Sequence, residues 1–150
     1  MLNAKTLSRV RGFVAAIVMS FALLVGSAGA ASAATSDCPQ GWSCVWRDSG
    51  WVTGGKGAAL YKFYQCEAYF YKVTYAGTGI GVEQSVSSVS NKGNYDSARY
   101  YTDDAYLGYS FLLERGQGDS NLFDALGWAP KGYDDSLNSA KFVTATSTCR

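Results

Sequence analysis

Histidine is absent from all 150 residues, and that one absence removes several chemistries at once. Neither a Ser-His-Asp nor a Cys-His arrangement can be built without an imidazole, and a zinc site loses its nitrogen ligand. No Cys-x-x-Cys pair occurs. No Gly-x-Gly-x-x-Gly sits on a strand-to-helix turn, and no glycine-rich loop ends in Gly-Lys-Ser/Thr, so phosphate-cradling loops are excluded. There is no run of Lys or Arg, which makes nucleic acid and anionic membrane poor partners. No window longer than about ten residues holds a 3.6-residue apolar period, and no Pro/Ser-rich linker splits the chain. The adjacent carboxylates Asp103-Asp104 and Asp134-Asp135 would point to opposite faces of a strand, so neither pair shares one substrate for acid-base work. These absences together argue against an enzyme.

What is present begins with an export signal. Lys5, Arg9 and Arg11 give a basic start, and no acidic residue precedes Asp37. Phe13 to Val25 is a 13-residue apolar run, short of the roughly 20 residues a membrane-spanning helix needs. Small residues follow, including Ala31-Ser32-Ala33, an A-x-A cleavage site. We therefore expect residues 1–33 to be a removable signal peptide and residues 34–150 to form one secreted, monomeric domain. Removing the signal takes three basic residues with it and leaves 10 against 12 acidic ones, a net charge of −2.

Four cysteines, Cys38, Cys44, Cys66 and Cys149, survive processing. An even count in an exported domain indicates two disulfides. The sequence does not choose among the three connectivities; the preferred one joins Cys38 to Cys44 across the Pro39-Gln40-Gly41 turn and Cys66 to Cys149.

The rest of the chain reads as strands. Leu60 to Tyr64 and Ala68 to Tyr75 are aromatic and β-branched, with glycines on either side. Cys44-Val45-Trp46 and Phe111-Leu112-Leu113 are shorter apolar stretches between Gly, Asp and Ser turns. The best helical candidate is Ser120 to Leu126, capped by Asp119 or Ser120. Many short strands at close spacing indicate an all-β sandwich or barrel.

A weak internal repeat refines this. Tyr101-x4-Tyr106-x-Gly108 is followed by Asp134 to Ser139, while Trp46-x4-Trp51 is followed by Glu83 to Ser88. The aromatic elements lie 55 positions apart and the serine-ended ones 51 apart. Aromatics five apart can pack over a tight hairpin whose glycine supplies a positive φ. A serine ending each unit can bond back to that hairpin.

These residues resemble the βγ-crystallin Greek-key motif, whose units open on aromatic-x4-aromatic-x-Gly and end in Asn/Asp-Asn/Asp-x-x-Ser/Thr-Ser. The second unit matches except for Asn138 in place of Ser/Thr. The first carries an extra residue before Gly54, and Glu83-Gln84 in place of an Asn/Asp pair. The opening Cys38-Pro39-Gln40-Gly41-Trp42-Ser43-Cys44 and the later Ser87-Ser88-Val89-Ser90-Asn91 are similar to a group of small secreted bacterial proteins, the peptidase inhibitor family typified by a metalloproteinase inhibitor. The resemblance implies a βγ-crystallin-like double Greek-key β-sandwich stapled by disulfides. It also implies inhibition of an extracellular protease, with no cofactor required.

Candidate inhibitory loops are Asp48 to Gly57, Gly77 to Gln84 and Leu126 to Gly132, with Trp51 or Trp128 as interface anchors. The alternative function is a calcium-binding or purely structural extracellular module. Carried over from the crystallin arrangement, Asp135 and Ser87 would serve one calcium site, and Gln84 and Asn138 the other.

Overall fold

A computed structural model describes residues 32–33, 35–53 and 60–145. The expected signal peptide, apart from Ser32 and Ala33, lies outside the described residues, as do Gly54 and Cys149. Among the described residues ten strands run in chain order: β1 (Ser32–Ala33), β2 (Ser43–Trp46), β3 (Val52–Thr53), β4 (Leu60–Phe63), β5 (Cys66–Glu67), β6 (Ser88–Asn91), β7 (Ala98–Tyr101), β8 (Ser110–Leu113), β9 (Gly118–Asp119) and β10 (Ser139–Phe142). β1 pairs with β3 in a two-stranded sheet.

The other eight form two four-stranded antiparallel sheets, ordered β4-β2-β6-β9 and β5-β10-β7-β8. Each sheet takes three strands from one half of the chain and one from the other. The first half supplies β2, β4 and β6 to the first sheet and sends β5 to the second. The second half supplies β7, β8 and β10 to the second sheet and returns β9 to the first. Two Greek-key units are thus interlocked by exchange of their third strands.

Alternation along β2 shows how the sequence builds two cores. Val45 joins the main core between the sheets, and the Ser43 hydroxyl meets the Tyr100 hydroxyl there at 2.5 Å. Cys44 and Trp46 face the other way, into a smaller cluster with Cys38, flanked by Trp42, Trp51 and Leu60. Both faces of β2 are therefore covered, and all four of its residues are buried. The main core continues through Phe63, Tyr100, Phe111 and Phe142, whose rings meet at centroid distances of 5.1 to 6.2 Å. Each such side chain contributes roughly 1.5 to 3 kcal/mol by burial.

The Cys38–Cys44 disulfide forms as expected, with Cα atoms 5.9 Å apart. Cys66 is also oxidised, but its expected partner Cys149 lies outside the described residues.

Two expectations for local structure fail. Ser120 to Leu126 is a chain of turns and bends, not a helix. Asp119 does accept the N–H of Asn121 at 3.0 Å, as a cap would, but its second oxygen accepts the N–H of Ala129 at 2.8 Å. The Asn121 and Asp124 side chains accept from Phe123 and Leu126. Side-chain acceptors have replaced the helical carbonyls. The run Ala68 to Tyr75 is likewise not a strand: β5 ends at Glu67, Phe70–Lys72 makes a single 3-10 turn, and Thr74 forms an isolated bridge with Gly81. Its aromatic content is explained by Phe70 and Tyr75, both buried in the core.

Candidate functional site

The site-bearing end of the sandwich is built twice. In the first unit the Ser88 hydroxyl donates to the Asp48 carbonyl at 2.8 Å and accepts the N–H of Trp51 at 3.2 Å. In the second the Ser139 hydroxyl donates to the Asp103 carbonyl at 2.6 Å and accepts the N–H of Tyr106 at 3.0 Å. The serine of each unit thus closes its own hairpin, as the repeat predicts. Tyr101 and Tyr106 stack edge to face at 5.8 Å over that hairpin. Gly108 has φ +76, and a Cβ there would run into Thr102 and Asp103, which explains the motif's glycine.

The two serine-ended segments face each other, as the crystallin arrangement implies. The Ser87 hydroxyl stands beside the Asp135 carboxylate, close enough to oppose the rise in its pKa, so the two residues of the first expected calcium pair are neighbours. Burial, then the neighbouring Asp134 carboxylate, push the Asp135 carboxyl upward; the Ser87 hydroxyl and the Arg47 guanidinium oppose this. In the second pair Gln84 is exposed, whereas the Asn138 Oδ1 is buried with no hydrogen-bond partner. Asp134 Oδ1 is orphaned in the same way. These oxygens suit calcium in kind but fall short of its six to eight ligands, and Arg47 is an adverse charge. Among the described residues no group of three or more carboxylate or cysteine side chains could hold a metal ion.

Against this frame the three expected loops differ. Asp48 to Gly57 lies partly outside the described residues, and Trp51 is no free anchor. Its indole donates to the Val89 carbonyl at 3.1 Å, and its ring packs on the smaller core. Gly77 to Gln84 exposes only Ile80 among large apolar side chains. The third loop is richer. Trp128 and Leu126 are both strongly exposed, and so is Phe123 just upstream, a residue that sequence reasoning missed because Ser120 to Leu126 read as a helix. Among the described residues no helix is long and apolar enough to cross a membrane.

With this geometry in hand, comparison with known proteins decides the family. The peptidase inhibitor family I36 matches residues 31–113, more than half of the sequence. The chain belongs to the peptidase inhibitor family I36. Membership makes it an inhibitor-type protein and not an enzyme. No curated protein matches the chain. Among solved structures, one from work on the evolution of the eye lens βγ-crystallin domain fold is 20% identical with a TM-score of 0.52, covering 70% of this chain and 87% of the other. A βγ-crystallin from Ciona intestinalis is 20% identical with a TM-score of 0.49, covering 68% of this chain and 99% of its own. An archaeal βγ-crystallin is 19% identical, with a TM-score of 0.47 over 70% of this chain and the whole of that one. The first of these supports the βγ-crystallin-like fold of this I36 member, and nothing about its function.

Proposed function

We propose that this I36 protein is a secreted inhibitor of an extracellular metalloprotease, acting through a rigid exposed loop. The observation that carries the reading is membership of the inhibitor family. The reading of residues 1–33 as an export signal and the oxidised cysteines support a protein that meets its target outside the cell. Physical suitability comes from the frame. Strand exchange ties each unit to the other's sheet, and the Cys38–Cys44 bridge staples the start of the domain. A loop held on such a frame has less freedom to lose on docking, so less ordering entropy opposes binding. Stoichiometric titration against secreted metalloproteases and serine proteases tests the reading, with a small peptide substrate to exclude competition by digestion.

The second reading is an extracellular module stabilised by calcium. It is favoured by the Asp135–Ser87 contact and by the orphaned oxygens of Asp134 and Asn138. In that reading Asp135 and Ser87 hold the ion at one site and Asn138, with Gln84, at the other. The affinity belongs at the weak end of the range, where extracellular modules lie.

A further inference from the structure

The internal repeat separates what the fold requires from what this chain adds. Glu67 and Asp119 end the exchanged strands β5 and β9. Each carboxylate accepts the backbone N–H two residues further on, from Tyr69 at 3.2 Å and from Asn121 at 3.0 Å. Phe70 and Leu122 come next, both buried. Each donates its N–H to the opposite unit, Phe70 to the Asn138 carbonyl at 2.9 Å and Leu122 to the Ser87 carbonyl at 3.0 Å. Up to this point the two connections are equivalent.

Beyond it they diverge. In the first unit Tyr69 and Tyr71 meet edge to face at 5.5 Å, and the Lys72 ammonium lies 3.9 Å from the Tyr69 ring centre. In the second unit Phe123, Leu126 and Trp128 are 68%, 90% and 62% exposed. The fold does not demand three large apolar side chains in water here, because in the same stretch its other half exposes one, Tyr71, at the place of Phe123. Clustered exposure of this kind marks an interaction surface.

The backbone that carries them is nevertheless fixed. Both oxygens of the buried Asp119 carboxylate hold the loop, one at Asn121 and one at Ala129. The Asn121 amide donates to Asp124 at 2.7 Å, and Asp124 accepts from Leu126. Gly127 passes so close to the Asp119 carboxylate that a Cβ would collide with it. The Gly50 N–H donates to the Ser120 carbonyl at 2.6 Å and ties the loop to the first unit's hairpin.

We propose that residues 120–129 are the protease-docking loop, with Leu126 seated in an apolar specificity pocket of the target endopeptidase and Phe123 and Trp128 packed at its rim. This assignment rests on the inhibitor reading above and names its contact surface and the chemistry of its partner. The segment lies beyond residues 31–113, so the family match does not assign it. It contains no Lys or Arg, so it offers nothing to an acidic pocket that selects cations.

The test measures inhibition constants of the exported, processed protein and three variants against proteases with apolar and with acidic specificity pockets. Leu126→Ala and Trp128→Ala are expected to weaken inhibition by at least about tenfold without lowering the melting temperature, since both side chains are exposed. Tyr95→Ala is the control. That side chain is 96% exposed but lies past the opposite end of β6, so inhibition should be unchanged. Undiminished inhibition by both loop variants would overturn the assignment and leave the inhibitor reading standing. Inhibition confined to acidic-pocket proteases would overturn the pocket chemistry. A wild-type protein that inhibits no protease would overturn the inhibitor reading and the docking loop together.

Discussion

Gln84 and Asp135 stand in equivalent places on opposite units, and each reaches across to the other. Both are left-handed, with φ 48 and 50. The Gln84 N–H donates to the Leu137 carbonyl at 3.2 Å, and the Asp135 N–H donates to the Val86 carbonyl at 3.1 Å. With β5 and β9 exchanged between sheets as well, neither unit has a complete sheet of its own. The domain should therefore unfold as one cooperative body.

The hairpin-closing serines offer a direct check of that expectation. Ser88 and Ser139 are fully buried and each hydroxyl makes two backbone hydrogen bonds. Replacing either by Ala strands a backbone N–H and a carbonyl, at a cost of about 1 to 3 kcal/mol. In urea titrations both variants should show a lower midpoint with an unchanged slope. Tryptophan fluorescence, dominated by the first unit, and far-ultraviolet dichroism should still coincide. Separate transitions would contradict the interlocked fold.

Stability should also fall in alkali. Burial, above all, raises the phenols of Tyr75 and Tyr100 well above the ordinary value; hydrogen bonds from Ser85 and Ser43 oppose the shift. In the unfolded chain these groups ionise near pH 10. The folded state thus holds their protons where the unfolded state has lost them, so their contribution is complete below about pH 10 and declines as pH rises further. The expected slope is about 1.4 kcal/mol per pH unit for each. Tyr100→Phe should remove one share of it. Tyrosinate absorbance appearing in two steps, with the second step tracking loss of dichroism, would establish the point. A single step near pH 10 in the folded protein would refute it.

How much of this was legible in the sequence depends on where each signal came from. The strands β2, β4 and β8 could be read because Val45, Phe63 and Phe111 sit in short apolar runs between turn residues. The serine-ended repeat could be read because Ser88 and Ser139 do the same job in both units. The Phe123 side chain could not be placed, since the local pattern of Ser120 to Leu126 suits a helix. Only the structure shows Asp119 claiming both Asn121 and Ala129. Strand exchange was also invisible, because β5 and β9 are only two residues long and their partners lie far along the chain.

Calcium can be separated from inhibition by one ligand residue. If Asp135 and Ser87 hold an ion, calcium at ten times its dissociation constant should add about 1.4 kcal/mol, several degrees in Tm for a domain of this size. Asp135→Ala should abolish the rise and leave inhibition intact, because the proposed docking loop lies elsewhere. An unmutated protein whose Tm ignores millimolar calcium has no such site.

The central claim is that this chain inhibits a protease, and stoichiometric titration tests it most directly. Folded, oxidised protein should be added in increments to an active-site-calibrated extracellular metalloprotease at a concentration well above the expected Kd. The account predicts a linear fall in activity toward peptide substrate that ends at one inhibitor per enzyme. Full activity throughout, with this and every other secreted protease tried, would contradict it and leave the family match as a statement about fold.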